Sequence, residues 1–172
     1  MMIDKIAVMN EARARHRADR DTEVRNQAEL LFEKYKDDPL FVAGVMLYWA
    51  EGTRISKSST NRKYQLALTN SNPELLEVYC NFLRKYFGDI ELNLRMALYI
   101  YQDIDELSTK SFWSARLRVP LDQFIKTQIL PSRAVLTKNK LSHGICCLYL
   151  NGKDYCLRME TWIKNISDYM RG

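Results

Sequence analysis

Two stretches of this chain concentrate positive charge with almost nothing to offset it. Residues 53–63 carry Arg54, Lys57, Arg62 and Lys63 with no acid among them. Residues 116–140 carry Arg116, Arg118, Lys126, Arg133, Lys138 and Lys140 against Asp122 alone. Charge of this kind suits a polyanion, because phosphate neutralisation dominates nucleic-acid affinity. The plainer alternative is a solvated basic surface. A third feature is Glu51, which closes a run of apolar residues just before Gly52. A carboxylate there sits at the unfavourable end of a helix dipole and needs an explanation. The acids Asp103, Asp105 and Glu106 read instead as a helix N-terminus, where carboxylates stabilise exposed amides. His143 reads as structural. Cys80, Cys146, Cys147 and Cys156 show no CxxC spacing and only two histidines exist, so a Cys/His zinc site is poorly supported. A reduced, intracellular protein is the simpler expectation.

The frame around these residues is ordinary. With 172 residues, 47% hydrophobic and 27% charged, the chain is long enough to bury a core and excludes a disordered tail or a fibre. The longest uncharged apolar stretch, 39–50, is too short to span a bilayer. The opening Met-Met-Ile-Asp-Lys lacks the apolar centre of a signal peptide, which makes a cytoplasmic location the expectation. The net charge of +5 divides unevenly: residues 1–38 sum to −1 and residues 39–172 to +6.

Residues 4–36 contain neither Gly nor Pro and predict one long helix. Few large apolar side chains lie between Glu11 and Asn26, as in an exposed or loosely docked arm. Asp37-Asp38-Pro39 ends it and opens a second helix, apolar nearly all round, from about Pro39 to Glu51. Such a helix is expected to pack on its own sheet and on a second subunit, with Tyr48 and Trp49 serving that packing. Two strand-like runs follow, Thr53–Ser59 and Tyr64–Asn70, then a helix capped at Asn72-Pro73 and stopped at Gly88. A strand over Leu92–Tyr101, a helix over Asp103–Arg116, a strand over Gln123–Ile129 and a basic loop over Pro131–Ser142 come next. A strand over Ile145–Leu150 and a helix over Asp154–Met170 complete an α+β domain without alternating βαβ order. The expected organisation is an N-terminal helical arm, 1–38, and an α+β domain, 39–172.

The segment Gly44-Val-Met-Leu-Tyr-Trp-Ala-Glu-Gly52 resembles a divergent LAGLIDADG motif. Aligned on Gly52, Ala50 matches the penultimate Ala and Glu51 the last acid. Tyr64-Gln-Leu-Ala-Leu-Thr-Asn-Ser-Asn-Pro-Glu-Leu-Leu resembles the second strand and following helix of LAGLIDADG homing endonucleases. Ser111-Phe-Trp-Ser, His143-Gly-Ile-Cys-Cys-Leu and the Trp162 helix are similar to a bacterial subgroup, so the resemblance covers residues 39–166. It implies a curved antiparallel sheet with helices on one face. A single motif copy implies a homodimer paired along the motif helix through Ala43, Gly44, Met46, Leu47 and Ala50. The resemblance makes Glu51 a ligand of a divalent metal, Mg²⁺, that would activate water for phosphodiester hydrolysis. It implies double-stranded DNA as partner, with base contacts from the sheet and phosphate contacts from basic loops.

On that resemblance the DNA-contacting residues are Gln65, Thr69, Arg95, Tyr99 and Tyr101 on the strands. Arg54, Lys57, Arg62, Lys63, Lys126, Arg133, Lys138 and Lys140 supply the basic loops. Asn70 takes the place of a polar catalytic-shell residue but cannot act as a base, and Lys126, Lys138 and Lys140 match a catalytic-shell lysine by region only. Other departures are Val45 and Met46 where the motif has Ala-Gly, and Glu51 where Asp is commoner. The leading expectation is a homodimeric, site-specific, Mg²⁺-dependent DNA endonuclease with Glu51, Asn70 and Lys126 as its catalytic set. The alternative is a non-cutting DNA-binding regulator of the same fold. The arm is expected to wrap a dimer or contact DNA, its near-neutral charge favouring the former.

Overall fold

The computed structural model describes residues 2–53, 64–131 and 141–172, so Arg54, Lys57, Arg62, Lys63, Arg133, Lys138 and Lys140 lie outside the described residues. So does nearly all of the expected strand over Thr53–Ser59. The described residues form five α-helices and a four-stranded mixed sheet, an α+β fold. None of their helices is long and apolar enough to cross a membrane.

Helix α1 (Met2–Tyr35) is the long helix its composition predicts. Its first half is exposed. Its second half is not: Val24, Ala28 and Phe32, four residues apart, are buried on one stripe. Ala28 and Phe32 join the same core as Phe41 and Trp162, so the arm enters the domain by that half. A stripe with so few large residues suffices because Ala28 lets α5 (Lys153–Arg171) approach closely. The Trp162 indole N–H donates to the Ala28 carbonyl at 2.9 Å.

Helix α2 (Pro39–Glu51) starts where Asp38 accepts the Leu40 amide at 3.0 Å, with Pro39 in the first turn. The same carboxylate receives the Lys85 ammonium at 2.8 Å, which holds its pKa down to about 2. A depressed pKa stabilises the fold above the ordinary carboxylate range, and that contribution is lost as pH falls toward 2. Asp38→Asn keeps a capping oxygen but not the charge. It is therefore expected to lose less stability than the parent between pH 4 and pH 2, as urea titrations at each pH would read.

Phe41, Gly44, Val45 and Tyr48 form the inward stripe of α2. Helix α3 (Pro73–Phe87) packs against it so closely that a Cβ on Gly44 would lie 2.0 Å from Cγ of Phe82. Gly52 closes α2 in extended backbone, where a Cβ would meet the Tyr48 carbonyl oxygen at 2.4 Å. The core these helices share is aromatic: Trp162 lies 5.0 Å from Phe41 and 4.8 Å from Phe87, ring centre to ring centre.

Strands β1 (Gln65–Asn70), β2 (Leu94–Tyr101), β3 (Gln128–Leu130) and β4 (Ile145–Asn151) lie in the order β1-β4-β2-β3. β4 runs antiparallel to both neighbours, while β3 is parallel to β2. The sheet is thus mixed rather than wholly antiparallel. Helix α4 (Glu106–Leu117), capped by Asp105 on the Ser108 amide at 2.7 Å, carries the chain across to make that parallel pair. The β2-α4-β3 crossover is a single βαβ unit within a fold that otherwise lacks alternating βαβ order. The expected strand over Gln123–Ile129 shrinks to β3, because Leu121–Gln123 coils into a 3₁₀ turn after Pro120.

Candidate nucleic-acid interface

Alternation along the strands divides the sheet into two faces. Leu66, Leu68, Leu94, Met96, Leu98, Ile100, Cys146, Leu148 and Leu150 turn toward the helices and join the main core. The opposite face holds a separate small cluster of Ala67, Ala97 and Cys147, with Tyr99 and Tyr149 packed on it. No helix residue belongs to this second cluster, so no described helix packs on it.

The register assembles this open face row by row. Gln65 stands opposite Asn151, and Ala67 opposite Tyr149, which faces Arg95 on its other side. Thr69 stands opposite Cys147, which faces Ala97, while Tyr99 lies between Ile145 and Gln128. Tyr101 pairs with Leu130. Gln65, Thr69, Arg95, Tyr99 and Tyr101, five residues singled out from sequence, therefore share one face. No carboxylate interrupts these rows among the described residues.

Several of these side chains are held in place. The Gln65 amide donates to the Asn151 side-chain oxygen at 2.6 Å. Arg95 spends one guanidinium nitrogen on the carbonyls of Leu92 and Leu94, at 3.0 and 2.7 Å. The phenol oxygens of Tyr99 and Tyr149 meet at 3.4 Å, with both rings packed on the small-residue cluster. Burial, then the neighbouring Tyr99 hydroxyl, pushes the Tyr149 pKa up, so it stays a neutral donor and acceptor. Burial likewise pushes the Cys147 thiol up, and all four cysteines are free and buried. His143 stacks on Phe112 at 3.6 Å and lends its carbonyl to the Trp113 indole, a packing role.

Most of the basic residues singled out from sequence belong to two stretches outside the described residues. Residues 54–63 lie between Thr53, whose amide donates to the Ala67 carbonyl at 2.8 Å, and Tyr64, which leads into β1. Residues 132–140 fall in the chain between β3 and β4.

The other sequence candidates are scattered. Glu51 is the exposed last residue of α2, and among the described residues nothing pairs with its carboxylate. Asn70 is occupied: its side-chain oxygen accepts the Asn72 amide at 2.9 Å in the turn before α3. Lys126 is exposed beside β2, next to Ile125, whose amide donates to the Met96 carbonyl. Gly52 bridges to Leu68 on the side of β1 away from β4, and Ile125 bonds to Met96 on the side of β2 away from β4. Glu51 and Lys126 thus flank opposite edges of the sheet, about 19 Å apart at four strand spacings. One chain does not bring the three expected catalytic residues together.

Of the five expected interface residues on α2, Ala43, Met46, Leu47 and Ala50 lie on the outward stripe with exposed Trp49 nearby. Gly44 does not. It turns inward onto Phe82, because successive helix residues are rotated by about 100° and Gly44 shares the Phe41–Tyr48 side.

Tyr149, Asn151 and Gln128 belong to the open face and escaped sequence reading. The alternation Ile145, Cys147, Tyr149 against Cys146, Leu148, Leu150 was the available signal. It was hidden because apolar Ile145 and buried Cys147 resemble core residues. Among the described residues no three Asp, Glu, His or Cys groups converge as metal ligands. No family model, no curated protein and no solved structure matches the chain.

Proposed function

We propose that two copies of this chain bind double-stranded DNA across the open faces of their sheets, and that Glu51 gives the pair an endonuclease activity. The observation carrying DNA binding is the carboxylate-free face of amides, hydroxyls, tyrosines and Arg95 that the strand register assembles. Amides and guanidinium groups read base edges, and phosphate contacts supply most of the affinity. The order α2, β1, α3, β2, β4 and α5 among the described residues supports a LAGLIDADG-like reading of the fold, of which α4 and β3 would be an insertion.

The outward stripe of α2 is the surface along which a second copy would pair. One chain offers a single exposed carboxylate at that end of α2, so by itself it does not fit a divalent ion. Two copies paired there would present two Glu51 side chains, whose repulsion a cation such as Mg²⁺ would relieve. That ion would supply charge neutralisation and activated water for phosphodiester hydrolysis.

A second reading, a DNA-binding regulator that does not cut, is favoured by the occupied Asn70 and the distant Lys126. Glu51→Gln separates the two. The nuclease reading expects Mg²⁺-dependent nicking or cutting by the parent, at least hundredfold weaker in the variant, with duplex affinity unchanged or raised. A parent that binds duplex DNA tightly and never cuts it, whatever sequence is offered, overturns the nuclease reading and leaves the regulator.

A further inference from the structure

The near-neutral sum of charge in α1 hides an uneven distribution. Residues 13–20 hold Arg13, Arg15, Arg17 and Arg20 against Asp19 alone. Arg15 is paired with Glu11 one turn earlier, at 2.6 Å. Arg13, Arg17 and Arg20 are spaced i, i+4 and i+7, which places them on one stripe of the helix. That stripe runs into a cleft of about 650 Å³ between α1 and the start of α5.

Four cations and two carboxylates line the cleft, an excess of two positive charges. Both carboxylates are already taken: Arg20 binds Asp154 at 2.8 Å and Lys153 binds Asp21 at 2.5 Å, fastening α1 to α5. Arg17 and Arg158 remain, each without a partner among the described residues, and the buried Nε of Arg158 has no hydrogen-bond acceptor. Tyr155 takes a hydrogen bond from Asn93 at 3.2 Å, leaving its own O–H free to donate. The cleft also continues into the open face, because Asn151 lines it and holds Gln65 at the end of β1.

Two free guanidinium groups on facing helices, in a cleft with no spare acid, form a site for a doubly hydrogen-bonding oxyanion. We propose that the α1–α5 cleft binds a phosphate group through Arg17 and Arg158, and that the phosphate comes from a nucleic-acid backbone leaving the open face. The site stands on its own geometry. Its nucleic-acid source rests on the DNA-binding reading above.

The double variant Arg17→Ala/Arg158→Ala removes the free cations and leaves both ion pairs. An unchanged urea midpoint would certify its fold. Inorganic phosphate titrated into the full chain should shift the amide resonances of Gly152 and Lys153 saturably, with affinity at least tenfold weaker in the variant. No saturable shift, or the same shift in both proteins, overturns the site. A short DNA duplex then identifies the source. With one phosphate per cleft and two clefts per dimer, the log–log salt slope of binding should fall by roughly two units in the variant. An unchanged slope beside lost phosphate binding assigns the cleft to a free phosphate compound and overturns the nucleic-acid source. A parent that does not bind duplex at all defeats the DNA-binding reading and the nucleic-acid source with it, and phosphate alone then decides the cleft.

Discussion

Trp162→Ala is expected to destabilise the chain by about 3–5 kcal/mol, the cost typical of removing a large buried aromatic side chain. Trp162 is fully buried, packs on Phe41, Phe82 and Phe87, and donates its indole N–H to the Ala28 carbonyl. Truncation leaves a cavity among three rings and removes the hydrogen bond that ties α5 to α1 at Ala28. Because that bond lies where α1 docks, the loss should also free α1 from α5 before the rest unfolds. Domains of this size have stabilities of about 5–15 kcal/mol, so the variant approaches the threshold of folding. Urea unfolding of parent and variant would measure the difference. A loss below about 1 kcal/mol would mean that α1 and α5 do not share a core.

The largest effect on duplex affinity is expected from charge placed on the open face. Thr69 and Gln128 are exposed on opposite sides of it, on β1 and β3. Thr69→Glu/Gln128→Glu sets a carboxylate on each side of the proposed DNA path. At about 1.4 kcal/mol for each repelled contact, duplex affinity should fall roughly hundredfold, while stability stays within about 0.5 kcal/mol. Fluorescence anisotropy with a labelled duplex, beside a urea titration, reads both numbers. Full affinity in a folded double variant would place the DNA elsewhere.

Local rules made much of this fold legible. Asp38-Pro39 and Asn72-Pro73 read as helix starts because an oxygen cap and a first-turn proline act within one turn, and both do so here. Gln65, Thr69, Arg95, Tyr99 and Tyr101, singled out on the strands from sequence, stand on one face in the strand register. What failed depended on partners far away in sequence. Gly44 was placed by analogy to a motif, whereas its surroundings are set by Phe82 of α3. β3 has three residues and exists only because α4 returns the chain beside β2. Tyr149 went unnoticed because β4 lies between two strands and is apolar on most positions of both faces. In α1 a summed charge concealed the Arg13–Arg17–Arg20 stripe, which only the helix geometry separates from the compensating acids.

The most direct test is to titrate a short DNA duplex into isotopically labelled protein and map which amide resonances move. The expected perturbations fall on β1, β2 and β4 around Thr69, Arg95, Tyr99 and Tyr149, and weaken steeply as salt is raised. Perturbations confined to the helical side, or none at duplex concentrations that saturate ordinary DNA-binding domains, would contradict an open sheet face built for DNA.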